Sequence, residues 1–168
     1  MLLVVLSFCI LAHAHDEQMD MSQQKMPAAF EKLKTLVGTW TGSTSMHGKD
    51  MPYTVSYEST AGGTAILERE FVGTPKEMIT VYTPQKDSVV MTHYCMLGNQ
   101  PRMTLTHASG NTLSFMMQGS SGIMSTNEPH MHALKLTMID DNHLRAEWTE
   151  HENGKDGETM VMNLTRKS

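Results

Sequence analysis

The segment from Met91 to His107 concentrates imidazole, thiol and thioether groups: Met91, His93, Cys95, Met103 and His107. Its middle, Gly98-Asn99-Gln100-Pro101, carries turn residues, so the segment reads as a β-hairpin. A turn centred on Asn99 sets Cys95 opposite Met103, His93 opposite Leu105 and Met91 opposite His107. His93 and His107 are then diagonal neighbours, about 7–8 Å apart at the backbone. All five share one face. Soft sulfur and imidazole donors gathered this way suit copper or haem. The same five residues serve equally as the lining of an apolar cavity with satisfied imidazoles.

Two further groups could bind something. His130-Met131-His132 places two imidazoles at i and i+2, which on a strand face the same way and could chelate one ion; no spacing supplies the remaining ligands. Arg69 alternates with Ala65, Leu67 and Phe71, an otherwise apolar face. Its guanidinium on that face could pair with an acidic ligand group, or with an internal Glu or Tyr. Methionine is abundant, with 17 residues, while Phe, Trp and Tyr make up 6%. Thioethers fill irregular gaps and accept varied apolar ligands, stand in for Leu in a core, or bind soft metals. Enzyme motifs are missing: there is no Gly-x-Ser-x-Gly, His-Glu-x-x-His, phosphate loop or Cys-x-x-Cys. Glu147, Glu150 and Glu152 lie along one segment with no partner fixed by their spacing, and read as solvated carboxylates. A non-enzymatic binder is therefore the first reading. A haem- or copper-binding protein using His93 and His107 with Met or Cys95 is the alternative, and a small hydrolase or isomerase is a distant third.

The elements that hold these residues follow from composition and period. The chain has 168 residues with 39% hydrophobic content, enough for one core. Lys plus Arg number 13 against 18 Asp plus Glu, a net charge of -5. The cations are scattered, which disfavours nucleic acid as a partner and leaves a small molecule. Residues 1–14, MLLVVLSFCILAHA, are an apolar run too short to span a bilayer, ending in the small-x-small site Ala12-His13-Ala14. They read as a signal peptide, which implies a secreted or periplasmic protein with no membrane insertion after its removal. Cys9 then leaves with the signal, and Cys95 remains as an unpaired thiol. Residues 15–26 are polar and read as a flexible linker, where His15 stands near Met19, Met21 and Met26.

From Pro27 the spacing of Phe30, Leu33, Leu36 and Val37 predicts a short helix, stopped at Gly38. Beyond it the period becomes 2. Ten strands are expected, near 39–47, 52–60, 64–72, 77–83, 88–96, 102–108, 112–118, 131–139, 143–150 and 158–166. Short turns join them, so the fold class is all-β: a closed up-and-down antiparallel barrel of about ten strands after a short N-terminal helix, over residues 27–168. Parity places Tyr53, Val55 and Tyr57 on one face, as it does Met103, Leu105 and His107, then His132, Leu134, Leu136 and Met138, and finally Leu144, Ala146 and Trp148.

The run Phe30 to Gly42, FEKLKTLVGTWTG, resembles the helix and Gly-x-Trp entry of lipocalins and their calycin relatives, and Arg166 stands in the last expected strand. The resemblance implies that Arg166 packs over Trp40 and closes one end of the barrel by a cation–π contact. Over residues 27–168 the chain is similar to bacterial lipocalin-like proteins of the DUF1579 type, with nitrobindin and fatty-acid-binding proteins as more distant relatives. It departs from nitrobindin-like chains at Gly42-Ser43-Thr44-Ser45, where further alternating glycines are expected. It departs from fatty-acid-binding proteins at Arg166-Lys167-Ser168, where Arg-x-Tyr would grip a carboxylate. The resemblance thus implies a ligand inside the barrel without naming it.

Overall fold

The computed structural model describes residues 25–46, 48–119 and 122–168. The expected signal segment, residues 1–14, and all but the last two residues of the expected linker lie outside the described residues.

The helix α1 (Ala28–Lys34) starts behind Pro27, whose fixed φ of -56° and missing N–H suit a helix start. Phe30, Leu33 and Leu36 recur at the helical period and are fully buried. Ten strands follow: β1 (Gly38–Met46), β2 (Lys49–Thr60), β3 (Ala65–Glu70), β4 (Met78–Gln85), β5 (Ser88–Tyr94), β6 (Arg102–Ser109), β7 (Thr112–Met117), β8 (His130–Met138), β9 (His143–Glu152) and β10 (Lys155–Arg166). Each pairs antiparallel with its sequence neighbours, and β1 pairs with β10, so the sheet closes into a barrel without a free edge. At the seam β1 and β10 run unusually close. A Cβ on Gly42 would lie 2.1 Å from the Asn163 carbonyl oxygen, so only glycine fits.

The hairpin turns alternate between the two ends of the barrel. One end carries α1 and the turns after β2, β4, β6 and β8. There Trp40 is buried and its Nε1–H donates to the Leu36 carbonyl at 2.8 Å. The Arg166 guanidinium stacks 4.1 Å from the Trp40 ring centroid. It also donates to the carbonyls of Val37, Thr35 and Asp141 at 2.7–2.9 Å. One side chain therefore ties the end of α1, the start of β1 and the β8–β9 turn to the last strand. Among the described residues no helix plugs the other end.

Parity holds in β2, β5 and β9. Tyr53, Val55 and Tyr57 are buried, as are Val89, Met91, His93 and Cys95, and Leu144, Ala146 and Trp148. It is reversed in β3: Ile66, Glu68 and Glu70 point inward, while Leu67 and Arg69 are half-exposed. Phe71 adopts φ 52°, so the chain leaves extended geometry there and Phe71 is buried next to Glu70. The hairpin between β5 and β6 is also shifted from the expected turn. Met91 pairs with Met103, Thr92 with Arg102, and the Cys95 N–H bonds the Asn99 carbonyl. A bulge between Leu105 and His107 then moves His107 opposite Ser114.

Candidate functional site

The open end holds a cavity of about 230 Å³. Five methionines line it (Met78, Met96, Met131, Met160 and Met162), along with Phe71, Leu97, Cys95 and the Trp148 ring. Met96 and Leu97 stand exposed at its mouth, 60% and 48% accessible, which leaves apolar surface at the entrance. Polar lining comes from Thr44, Tyr53, Glu70, His93, Glu150 and Glu158. Among the described residues no Lys or Arg lines it.

Beneath the cavity a hydrogen-bonded row crosses four strands. The register Tyr57–Glu68–Thr80–His93 runs from β2 to β5. Tyr57 donates to Glu68 Oε1 at 2.7 Å and Tyr82 to Oε2. Tyr53 donates to Glu70 Oε2 at 3.0 Å, and Thr80 Oγ1 lies 3.4 Å from Glu70 Oε1 and 2.8 Å from His93 Nδ1. Burying a carboxyl is costly unless hydrogen bonds or protonation compensate, and both operate here. Burial pushes Glu68 up to about 7 against the opposing hydrogen bonds of Tyr82 and Tyr57. Glu70 is raised well above the carboxylate range by burial and by the nearby Glu68. Burial brings His93 down to about 4. His93 is therefore neutral at neutral pH, and its 3.5 Å contact from Nδ1 to Glu70 is not an ion pair.

Thr80 has one proton to give. When it donates to an ionised Glu70 it accepts from His93 Nδ1–H, and Nε2 carries a bare lone pair. When Glu70 is protonated and donates to Thr80, the hydroxyl donates to Nδ1 and Nε2 carries the hydrogen. The proton on Glu70 thus sets whether His93 accepts or donates at Nε2. That atom has no partner, nor do Trp148 Nε1 and Thr44 Oγ1. Among the described residues four buried side-chain polar atoms lack a partner, and these three all belong to cavity-lining residues. The His93 and Trp148 rings lie 4.7 Å apart. Cys95 is a free thiol whose pKa burial raises, so it is a neutral lining group rather than a nucleophile.

The residues singled out from sequence separate into three places. His93 and Cys95 line the cavity. Met91 and Met103 are a buried cross-strand pair in the core and do not line it. Arg69 is outside, bonded to Glu77 at 3.1 Å, which corrects its placement on the inner face. His107 is exposed on β6, so the expected His93–His107 pair does not form: the barrel wall separates them. The bulge that moves it leaves no mark in the local alternation. His130 and His132 lie together elsewhere, with Nε2 of the first 3.3 Å from Nδ1 of the second, and both pack against His151.

Sequence reasoning missed Glu68, Glu70, Thr80, Trp148 Nε1 and Thr44 as parts of the site. One signal pointed to the carboxyls: Tyr53 and Tyr57 sit at inward parity, and a buried tyrosine hydroxyl needs an acceptor.

No protein-family model matches the sequence, and neither does any curated protein. Among solved structures the chain is similar to a protein of unknown function from the DUF3598 family of Nostoc punctiforme, with a TM-score of 0.55 and 11% identity over 80% of this chain. The match covers 49% of that protein, so this chain spans about half its length. At that identity the likeness is one of fold alone.

Proposed function

We propose that the protein is an exported, lipocalin-like binding barrel that takes one small, neutral or cationic amphipathic molecule into the methionine-lined cavity. The observation that carries this reading is that three buried, unpartnered polar groups, His93 Nε2, Trp148 Nε1 and Thr44 Oγ1, all belong to residues that line this one methionine-rich cavity. Buried polar atoms are nearly always paired, so groups left open at a cavity favour a ligand that pairs them. Trp148 supplies a donor only, and His93 and Thr44 can donate or accept. A hydroxyl head with an aliphatic tail meets both demands, and a protonated amine, which only donates, meets those of His93 and Thr44. Glu150, in a lining that among the described residues holds no Lys or Arg, disfavours an anionic head.

The volume bounds the ligand. About 230 Å³ lies below the roughly 300–1,000 Å³ of pockets for drug-sized molecules. A haem macrocycle does not fit, and with His107 outside the barrel no second histidine among the described residues stands across from His93. Export rests on the signal-like segment of residues 1–14, and intact mass showing cleavage after Ala14 in the host's exported fraction tests it.

Calorimetric titration with octanol, octylamine and octanoate tests the binding reading, since the three share a tail and differ in head charge. Octanol and octylamine bind, octanoate binds at least ten-fold more weakly, and Trp148→Phe weakens octanol several-fold by removing the donor. Equal binding of octanoate, or no binding of any of the three, contradicts the proposal.

A further inference from the structure

A second constellation lies outside the cavity. The register sets His130 of β8 opposite His151 of β9, and His151 opposite Asp156 of β10. Met131 and Glu150, the next pair along, both belong to the cavity lining. Side chains alternate across a strand, so the His130–His151–Asp156 row stands on the outer face beside the cavity mouth. His132 joins that row because of a bulge between Met131 and Ala133. Bulges re-aim side chains in this way. The three imidazole centroids lie 4.7–5.5 Å from one another. One ligand atom from each of His132, His151 and Asp156 falls within 4.8 Å of those of the other two.

We propose that this row is a binding site for one divalent transition-metal ion of the imidazole-seeking kind, typified by zinc, held by His132, His151 and Asp156 with His130 as a fourth donor. The chemistry of the set fits such an ion. Imidazole nitrogens with a single carboxylate suit zinc, whereas calcium and magnesium take oxygen ligands. At a Zn–N distance of about 2.0–2.1 Å, tetrahedral donors stand roughly 3.3–3.5 Å apart, so side-chain rotations of an ångström or so close the set. The surrounding structure already orients the ring of His130. Its Nδ1 lies 2.7 Å from the Glu128 carbonyl oxygen, which can only accept. Nδ1 therefore carries the hydrogen and Nε2 keeps its lone pair, aimed at His132. Backbone carbonyls fix metal-binding histidines in this manner. The loop holding Glu128 is itself clamped, since Asn99 Nδ2 donates to Glu128 Oε1 at 3.2 Å and to the Pro129 carbonyl at 2.8 Å. His151 Nδ1 lies 2.8 Å from Asp156 Oδ1, so the carboxylate either shares the ion or, as a hydrogen-bond acceptor, turns His151 Nε2 toward it.

The ion would tie three adjacent strands together beside the mouth, at the end of the barrel that α1 does not cover. The test is competition of the full chain with a chromophoric chelator for Zn²⁺ at pH 7.5, repeated for His132→Gln, His151→Gln and Asp156→Asn. One equivalent of Zn²⁺ binds the wild type. Each histidine variant loses at least ten-fold in affinity while its far-UV circular dichroism is unchanged. Asp156→Asn loses several-fold, and Ca²⁺ does not compete at a hundred-fold excess. The zinc-induced rise in Tm is present in the wild type and absent in His132→Gln. The proposal is overturned by a wild type that binds no Zn²⁺ at 100 µM. It is overturned equally by folded His132→Gln and His151→Gln variants that both bind Zn²⁺ as the wild type does, which would place the ion on other histidines.

Discussion

Glu68→Gln isolates the energetic cost of a carboxyl sealed under the cavity. The residue is 1% exposed, its two oxygens are engaged by Tyr57 and Tyr82, and burial lifts it to about 7 from an ordinary 4.5. In the unfolded chain it ionises at its ordinary value, so the native state binds the extra proton between these values. The sign follows: for a group raised on folding, stability contributed at low pH is lost as pH climbs through the folded value. A difference of 2.5 units at about 1.36 kcal/mol each gives a loss of about 3 kcal/mol on reaching pH 8. Glutamine has the same shape, accepts from one tyrosine and donates to the other, and does not titrate. Urea unfolding followed by Trp40 and Trp148 fluorescence at pH 5 and pH 8 reads the difference. Relative to wild type, the variant gains about 2–3 kcal/mol at pH 8 and under about 1 kcal/mol at pH 5. A variant whose difference from wild type is the same at both pH values refutes the claim that Glu68 is buried with a raised pKa.

Three more outcomes follow from the same structure. His93 has a folded pKa of about 4 against 6.5, a basic group depressed by burial. The unfolded chain therefore takes up its proton first, and stability falls as pH drops from 6.5 toward 4 by about 3 kcal/mol. In the wild type the Glu68 contribution has the opposite sign across that window, so urea midpoints of Glu68→Gln fall more steeply with acid than those of the wild type. Arg166→Met removes three carbonyl hydrogen bonds and the stack on Trp40, and costs about 2–3 kcal/mol in urea unfolding. Arg69→Met and His107→Ala each change stability by no more than about 1 kcal/mol and leave octanol affinity unchanged by calorimetry, since both side chains lie outside the barrel.

The barrel was legible because its strands obey the period of 2 between turns that glycine, asparagine and aspartate mark. β2, β5 and β9 carry their apolar residues on one parity, and local sequence there decides the face. β3 was not legible, because its inward face is decided by residues far away in the chain. Ala65, Leu67 and Phe71 make the better apolar face when β3 is read alone. The observed face instead places Glu68 and Glu70 inward, and it is sustained by Tyr53 and Tyr57 from β2 and by Thr80 and Tyr82 from β4. The hydrogen bonds that make burial of two carboxyls tolerable are products of closure. Bulges were invisible for a related reason: an extra residue changes face without changing composition. One bulge put His107 outside the wall, and another carried His132 to the outer row of His130 and His151. His93 and Cys95 were legible as inward-facing, but the unpaired atoms that give the cavity its chemistry appear only once the strands are registered.

The indole N–H resonances give the most direct test of the central claim, that the cavity pairs its open polar atoms with a ligand. Trp148 Nε1 has no partner, whereas Trp40 Nε1–H is held by the Leu36 carbonyl at the far end of the barrel. In a ¹⁵N–¹H correlation spectrum of the protein titrated with octanol, the Trp148 indole peak moves downfield to saturation and the Trp40 peak stays in place. A Trp148 peak that does not move, or one that moves as far with octanoate as with octanol, contradicts the account.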